Sequence, residues 1–253
     1  MSATVVPFAL APVTALIGPS GSGKTELALA LALLSARQRA ADPSLPQVAL
    51  ADLDVLKPYF RSREARDELA EAGVELIAPP GALAQSDLPI LAPALRGALA
   101  RRDAKVLLDV GGDPPGARAL GSVCDLVATG TYDVLLVLNR CRPFMASAAQ
   151  VVATAHQLAE AAQLRVTGIA SNANLGDETT ERDALWGLEL ALEVAAALAV
   201  PVRLLGIGAH LEPAFAGRVD VPQCIVLRRR MIPSFLGGPV LAPPSRRPGG
   251  DAS

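Results

Sequence analysis

Gly18-Pro19-Ser20-Gly21-Ser22-Gly23-Lys24-Thr25 decides how this chain of 253 residues folds. An apolar run over 13–17 precedes it, and an Ala/Leu-rich run without Gly or Pro follows over 24–38. That order predicts strand, loop, helix. The octapeptide matches G-x-x-x-x-G-K-[ST], the pattern of a P-loop. Gly18, Gly21 and Gly23 let the backbone curl so that N–H groups between them, around Pro19, Ser20 and Ser22, point at phosphate oxygens. The helix starting near Lys24 turns its positive end to the same place. Lys24 adds a mobile charge for the β and γ oxygens, and Thr25 offers a hydroxyl to Mg2+. Lys24 is one of three lysines, with Lys57 and Lys105, in a chain rich in arginine. A chance match with this composition is on the order of one in several hundred, which sets a purely structural glycine turn aside.

The rest of the chain suits such a loop. Short β-like runs alternate with longer helical ones. Strands are expected over 13–17, 48–52, 74–78, 105–110, 134–138, 166–170, 202–207 and 225–227. Helices are expected over 24–38, 59–72, 94–101, from 117 through Cys124, 147–162 and 179–198. Residues 79–93 and 111–116 read as loops because of their Pro and Gly content. Strands apolar throughout and separated by helices indicate an α/β fold with a mostly parallel central sheet and helices on both faces. Residues 1–240 are expected to form one P-loop nucleotide-binding domain, and 241–253 a disordered tail.

Composition excludes several classes of function. Hydrophobic residues make up 51% and charged residues 19%, which supports a sizeable core and argues against wholesale disorder. The net charge of -2 gives no global basic field, so a nucleic-acid partner is not expected. No apolar run reaches the ~20 residues of a membrane span, and no signal peptide is evident, so the reading is cytoplasmic. Cys124, Cys141 and Cys224 are scattered and read as free thiols. His156 and His210 have no metal-ligand companions in sequence.

Two strand ends carry acids. Asp52-Leu53-Asp54 closes the second strand. Asp109-Val110-Gly111-Gly112 closes the 105–110 strand, with glycine where backbone must approach a phosphate. A phosphate-bound Mg2+ needs a carboxylate at such a strand end, usually acting through water. Asp109 with Thr25 is the first reading of the metal site. Asp52 or Asp54 could hold Mg2+ or orient an attacking water.

The order of these motifs resembles the MinD/ParA/CobQ-type group of P-loop proteins (the SIMIBI branch, which also holds nitrogenase iron protein and the signal-recognition GTPases). The resemblance rests on Gly18 to Thr25, Asp52-Leu53-Asp54, Asp109 to Gly112, and Asn172 after the 166–170 strand. It implies that Asp54 first, and Asp52 second, helps activate water. It implies that Asn172 hydrogen-bonds the base, under a loop that follows the 202–207 strand. One position departs: MinD and ParA proper carry a second lysine early in the loop, where this chain has Pro19. Dimerisation through that lysine is therefore not expected, although a homodimer by other contacts stays open. The stretch 52–64, with Tyr59-Phe60-Arg61-Ser62-Arg63, is similar to a subgroup lacking that lysine.

These readings converge on Mg2+-dependent binding and hydrolysis of a nucleoside triphosphate, ATP first and GTP second. Lys24 and either Asp54 or Asp52 would serve catalysis, and a protein partner would read the resulting switch. Two alternatives stand beside this: an ATP-dependent phosphotransferase or ligase on a small molecule, and a nucleotide-sensing adaptor that does not hydrolyse. The arginines of Asn139-Arg140-Cys141-Arg142-Pro143, at another strand end, would line the nucleotide cleft or contact a partner, or the stretch would form a plain surface loop. Arg228-Arg229-Arg230 reads as a solvated strand end.

Overall fold

The computed structural model describes residues 10–54, 66–78 and 92–228. Several expectations lie outside these residues: the segment 59–65, nearly all of the 79–93 loop, Arg229 and Arg230, and the tail 241–253.

The chain alternates strand and helix as its hydrophobic pattern requires. β1 (Val13–Ile17), β2 (Gln47–Asp52), β3 (Glu75–Ile77), β4 (Ala104–Asp109), β5 (Tyr132–Leu138), β6 (Gly168–Ser171), β7 (Val202–Gly208) and β8 (Gln223–Leu227) form one sheet. Its order is β3-β2-β4-β1-β5-β6-β7-β8, and every described pairing is parallel. The helices are α1 (Lys24–Ala41), α2 (Arg66–Glu71), α3 (Ala92–Ala100), α4 (Pro114–Gly121), α5 (Cys124–Val127), α6 (Ala148–Ala162), α7 (Glu181–Leu198) and α8 (Glu212–Phe215).

Alternate strand residues build a main core on each face, and a smaller cluster forms around Leu205 and Ile207 of β7. Ala15, Ile17, Leu108 and Leu136 join α3, α4, α6 and α7 on one face. Leu16, Leu107, Leu135 and Val137 join α1 and α2 on the other. The α/β sheet with helices on both faces is thus as the pattern indicated. It also explains the strands' unbroken apolar runs, since a strand buried on both faces needs no polar side.

Element ends move for local reasons. α4 begins at Pro114, inside the stretch read as loop, because Asp113 caps it: its carboxylate accepts the Gly116 N–H at 2.8 Å, and proline suits the first helical turn. α1 runs on to Ala41, three residues past the expected end. The short α5 and α8 were not expected as separate helices.

The site follows from the strand order. After β1 the chain moves to one side for β2 and β3 and inserts β4 next to β1. It then continues on the other side from β5. The carboxyl end of β1 is therefore the switch point, where ligands bind in open parallel sheets.

Candidate functional site

The loop from Gly18 to Thr25 sits at that switch point, between β1 and α1. Gly23 caps α1 in the left-handed region (φ 87°), and a Cβ there would lie 2.2 Å from Nδ2 of Asn172. Only glycine fits on both counts. The Asn172 amide donates to the Ser22 carbonyl at 2.8 Å. Asn172 is buried and lies beneath the loop as a strut, and its Oδ1 has no hydrogen-bond partner. Its amide nitrogen thus holds the loop.

Lys24 reaches back over the loop and donates to the Gly18 carbonyl at 2.9 Å and the Pro19 carbonyl at 3.1 Å. It is the buried cation at the mouth of α1. Thr25, one residue on, donates its hydroxyl to Asp109 Oδ2 at 2.6 Å.

Register brings the acids to the same edge. Asp52 and Asp109 are paired positions of β2 and β4, and Leu16 of β1 lies opposite Asp109 on the other side. Asp109 is buried, and its Oδ1 has no hydrogen-bond partner. Burial first, and then the Asp52 charge, push its carboxyl up to about 7; the Thr25 hydroxyl and Lys24 oppose this. Asp52 is equally buried and accepts the Asp54 N–H at 3.1 Å. Asp54 is only half-buried, beside Gly111. The two candidate acids thus differ: Asp52 faces inward beside Asp109, and Asp54 reaches water.

Gly112 closes the arrangement from the β4 side. A Cβ there would lie 2.6 Å from the Ser20 amide nitrogen and 3.0 Å from Lys24 Nζ. The backbone after Asp109 therefore touches the loop, and no larger residue allows it. Lys24, Thr25, Asp109, Asp52 and Gly112 thus lie together, with Asp54 at the margin and Asn172 below.

Sequence reasoning singled out the 139–143 stretch and the loop after the 202–207 strand but missed the contacts that hold them. Asn139, at the end of β5, and Asn174, after β6, hold each other: the Asn139 amide donates to the Asn174 carbonyl at 3.2 Å, and the Asn174 N–H to Asn139 Oδ1 at 3.2 Å. His210 joins the loop after β7 to Thr179 through Nε2 at 2.7 Å from the carbonyl oxygen. Only the presence of asparagines at strand ends hinted at this.

Solved structures share this architecture. The cell division protein FtsY of Thermotoga maritima is 23% identical over 78% of this chain and 61% of that one, with a TM-score of 0.52. Chloroplast FtsY of Physcomitrella patens is 19% identical over 80% and 61%, with a TM-score of 0.53. The signal recognition particle 54 kDa protein of Aeropyrum pernix K1, solved in complex with GDP, is 19% identical over 78% and 41%, with a TM-score of 0.50. This chain has the P-loop NTPase fold. It spans about 40–60% of the length of those chains. No protein-family model and no curated protein matches it. Among the described residues no helix is long and apolar enough to cross a membrane, and no group of three or more His, Cys, Asp or Glu is arranged to hold a metal. Cys124, Cys141 and Cys224 are free thiols.

Proposed function

We propose that this chain binds a nucleoside triphosphate with Mg2+ at the loop from Gly18 to Thr25 and hydrolyses it. The observation that carries this reading is the Asp109 carboxylate, buried at the switch point with one oxygen on Thr25 and the other without a hydrogen bond. A buried carboxylate costs several kcal/mol unless a cation or donors compensate it. One hydroxyl and one or two carboxylates suit Mg2+, which keeps most of its shell for water and phosphate oxygens.

Thr25 and Asp109, with Asp52 beside them, would hold the ion. When bound, Mg2+ neutralises phosphate charge. Lys24 would leave the loop carbonyls for phosphate oxygens, and the loop amides would add fixed donors there. Asp54, with access to water, is assigned to orienting the attacking water, ahead of the buried Asp52. Asn172 takes part through the loop that it holds. Gly112 touches both the loop and Lys24, so a change at the phosphates reaches the β4 loop. That coupling supports a switch read by a protein partner.

The base is the finer question. ATP is the first expectation from the sequence and GTP the second, whereas the GDP in the neighbouring 54 kDa protein favours guanine. Competition between unlabelled ATP and GTP for one labelled analogue ranks the two. Phosphate release with and without added small-molecule acceptors tests hydrolysis: slow acceptor-free release that falls in Asp54→Ala supports it. Release only with an acceptor would replace it with phosphotransfer.

A further inference from the structure

The loop after β5 carries two arginines with different surroundings. Arg140 is tied down: it donates to the Trp186 carbonyl at 2.7 Å, lies 3.5 Å from Glu189 Oε2, and stacks 4.2 Å from the centre of the Trp186 ring. Arg142 is exposed, and its side chain makes no hydrogen bond or ion pair among the described residues. Its position is nevertheless set. The Arg142 N–H donates to the Asn139 carbonyl at 3.0 Å, and the Arg142 carbonyl accepts the Met145 N–H at 3.3 Å. Met145 is fully buried, with its Sδ on the Asn139 N–H at 3.3 Å. Between them Phe144 is held at φ 67°, a conformation unfavourable for a bulky residue that persists only where the surroundings enforce it.

This turn lays the Arg142 stem on the phosphate loop. A Cβ built on Gly21 would lie 3.9 Å from both Cγ and Cδ of Arg142. Gly21 has φ 81° and no side chain to screen the loop. The amino end of α1 and Lys24 give the loop positive potential, and Arg142 brings a third cation on a stem that lies against Gly21. Lys24 already has the Asp109 carboxyl as a neighbour, whereas the Arg142 guanidinium has no ion-pair partner among the described residues, and its fork matches two phosphate oxygens at once.

We infer that Arg142 is a phosphate-binding arginine supplied in cis, closing over the nucleotide's phosphates from the β5 side. The inference rests on the proposed nucleotide site and adds a residue to it.

The test is a titration of the full chain with fluorescent ATP and GTP analogues in Mg2+, for wild type, Arg142→Ala, Arg142→Lys and Lys24→Ala. Each variant's urea unfolding is recorded alongside; Arg142 is exposed, so its variants should unfold as wild type does. Arg142→Ala should weaken triphosphate binding about tenfold, the scale of a lost charge-assisted pair, and Arg142→Lys should recover part of the loss. Added salt should weaken wild type more than Arg142→Ala. Wild-type affinity and salt dependence in Arg142→Ala, with binding lost in Lys24→Ala, would overturn this inference and leave the nucleotide site standing. No binding by wild type would overturn both.

Discussion

Asp109 concentrates the chemistry of the site in one side chain. Its ordinary value lies near 3.8, and the fold raises it to about 7. Between those values the folded chain holds the proton more tightly than the unfolded chain does. The stability it contributes is therefore present at acid pH and is lost as pH rises through about 7. In chelator and without nucleotide, Asp109→Asn should melt at a higher temperature than wild type at pH 8, and the difference should shrink by pH 5. Asparagine can still accept from Thr25, so packing is kept. The same variant should lose Mg2+-dependent nucleotide binding. Melting curves across pH, without and with Mg2+, check both halves; equal melting at pH 8 would remove the buried charge from the account.

Loop, strand ends and helices were legible in proportion to how local their causes are. Gly18 to Thr25 announces itself because each residue's chemistry acts within eight positions. Asp52 and Asp109 were legible because an acid ending an apolar run is a local signal, whereas their pairing in register is a property of the strand order. The pairing of Asn139 with Asn174 joins residues 35 apart, and no periodicity encodes it. Asn172 was found, but as a base contact implied by resemblance; its place under Gly23 needed coordinates. Gly187 shows the same limit. Within α7 it looks like a weak point, yet a Cβ there would lie 2.3 Å from Ala173 Cβ, just past β6. Gly187→Ala should therefore destabilise the fold by about 1–3 kcal/mol despite alanine's better helix propensity. Urea unfolding checks it, and a stabilised variant would show that α7 is free to shift.

Across the whole molecule the two ends of the sheet do different work. At the amino end of β5, buried Asp133 accepts the Ala11 N–H at 2.9 Å and the Thr167 hydroxyl at 3.2 Å, and lies 3.5 Å from Arg203. It ties the approaches to β1 and β6 to β7, at the opposite edge from Lys24. Asp133→Ala should cost about 2–3 kcal/mol, discounted for the partly exposed arginine. The folded variant should keep wild-type nucleotide affinity, as unfolding and binding curves on one sample would show. The opposite end is where the chain is claimed to act, and one measurement bears on that claim most directly. Wild type and Lys24→Ala are titrated with a labelled ATP and a labelled GTP analogue in Mg2+, with circular dichroism recorded on each. Wild type should bind at least one analogue saturably, and Lys24→Ala should lose that binding with its spectrum unchanged. Equal binding by both proteins, or none by wild type, would contradict that claim.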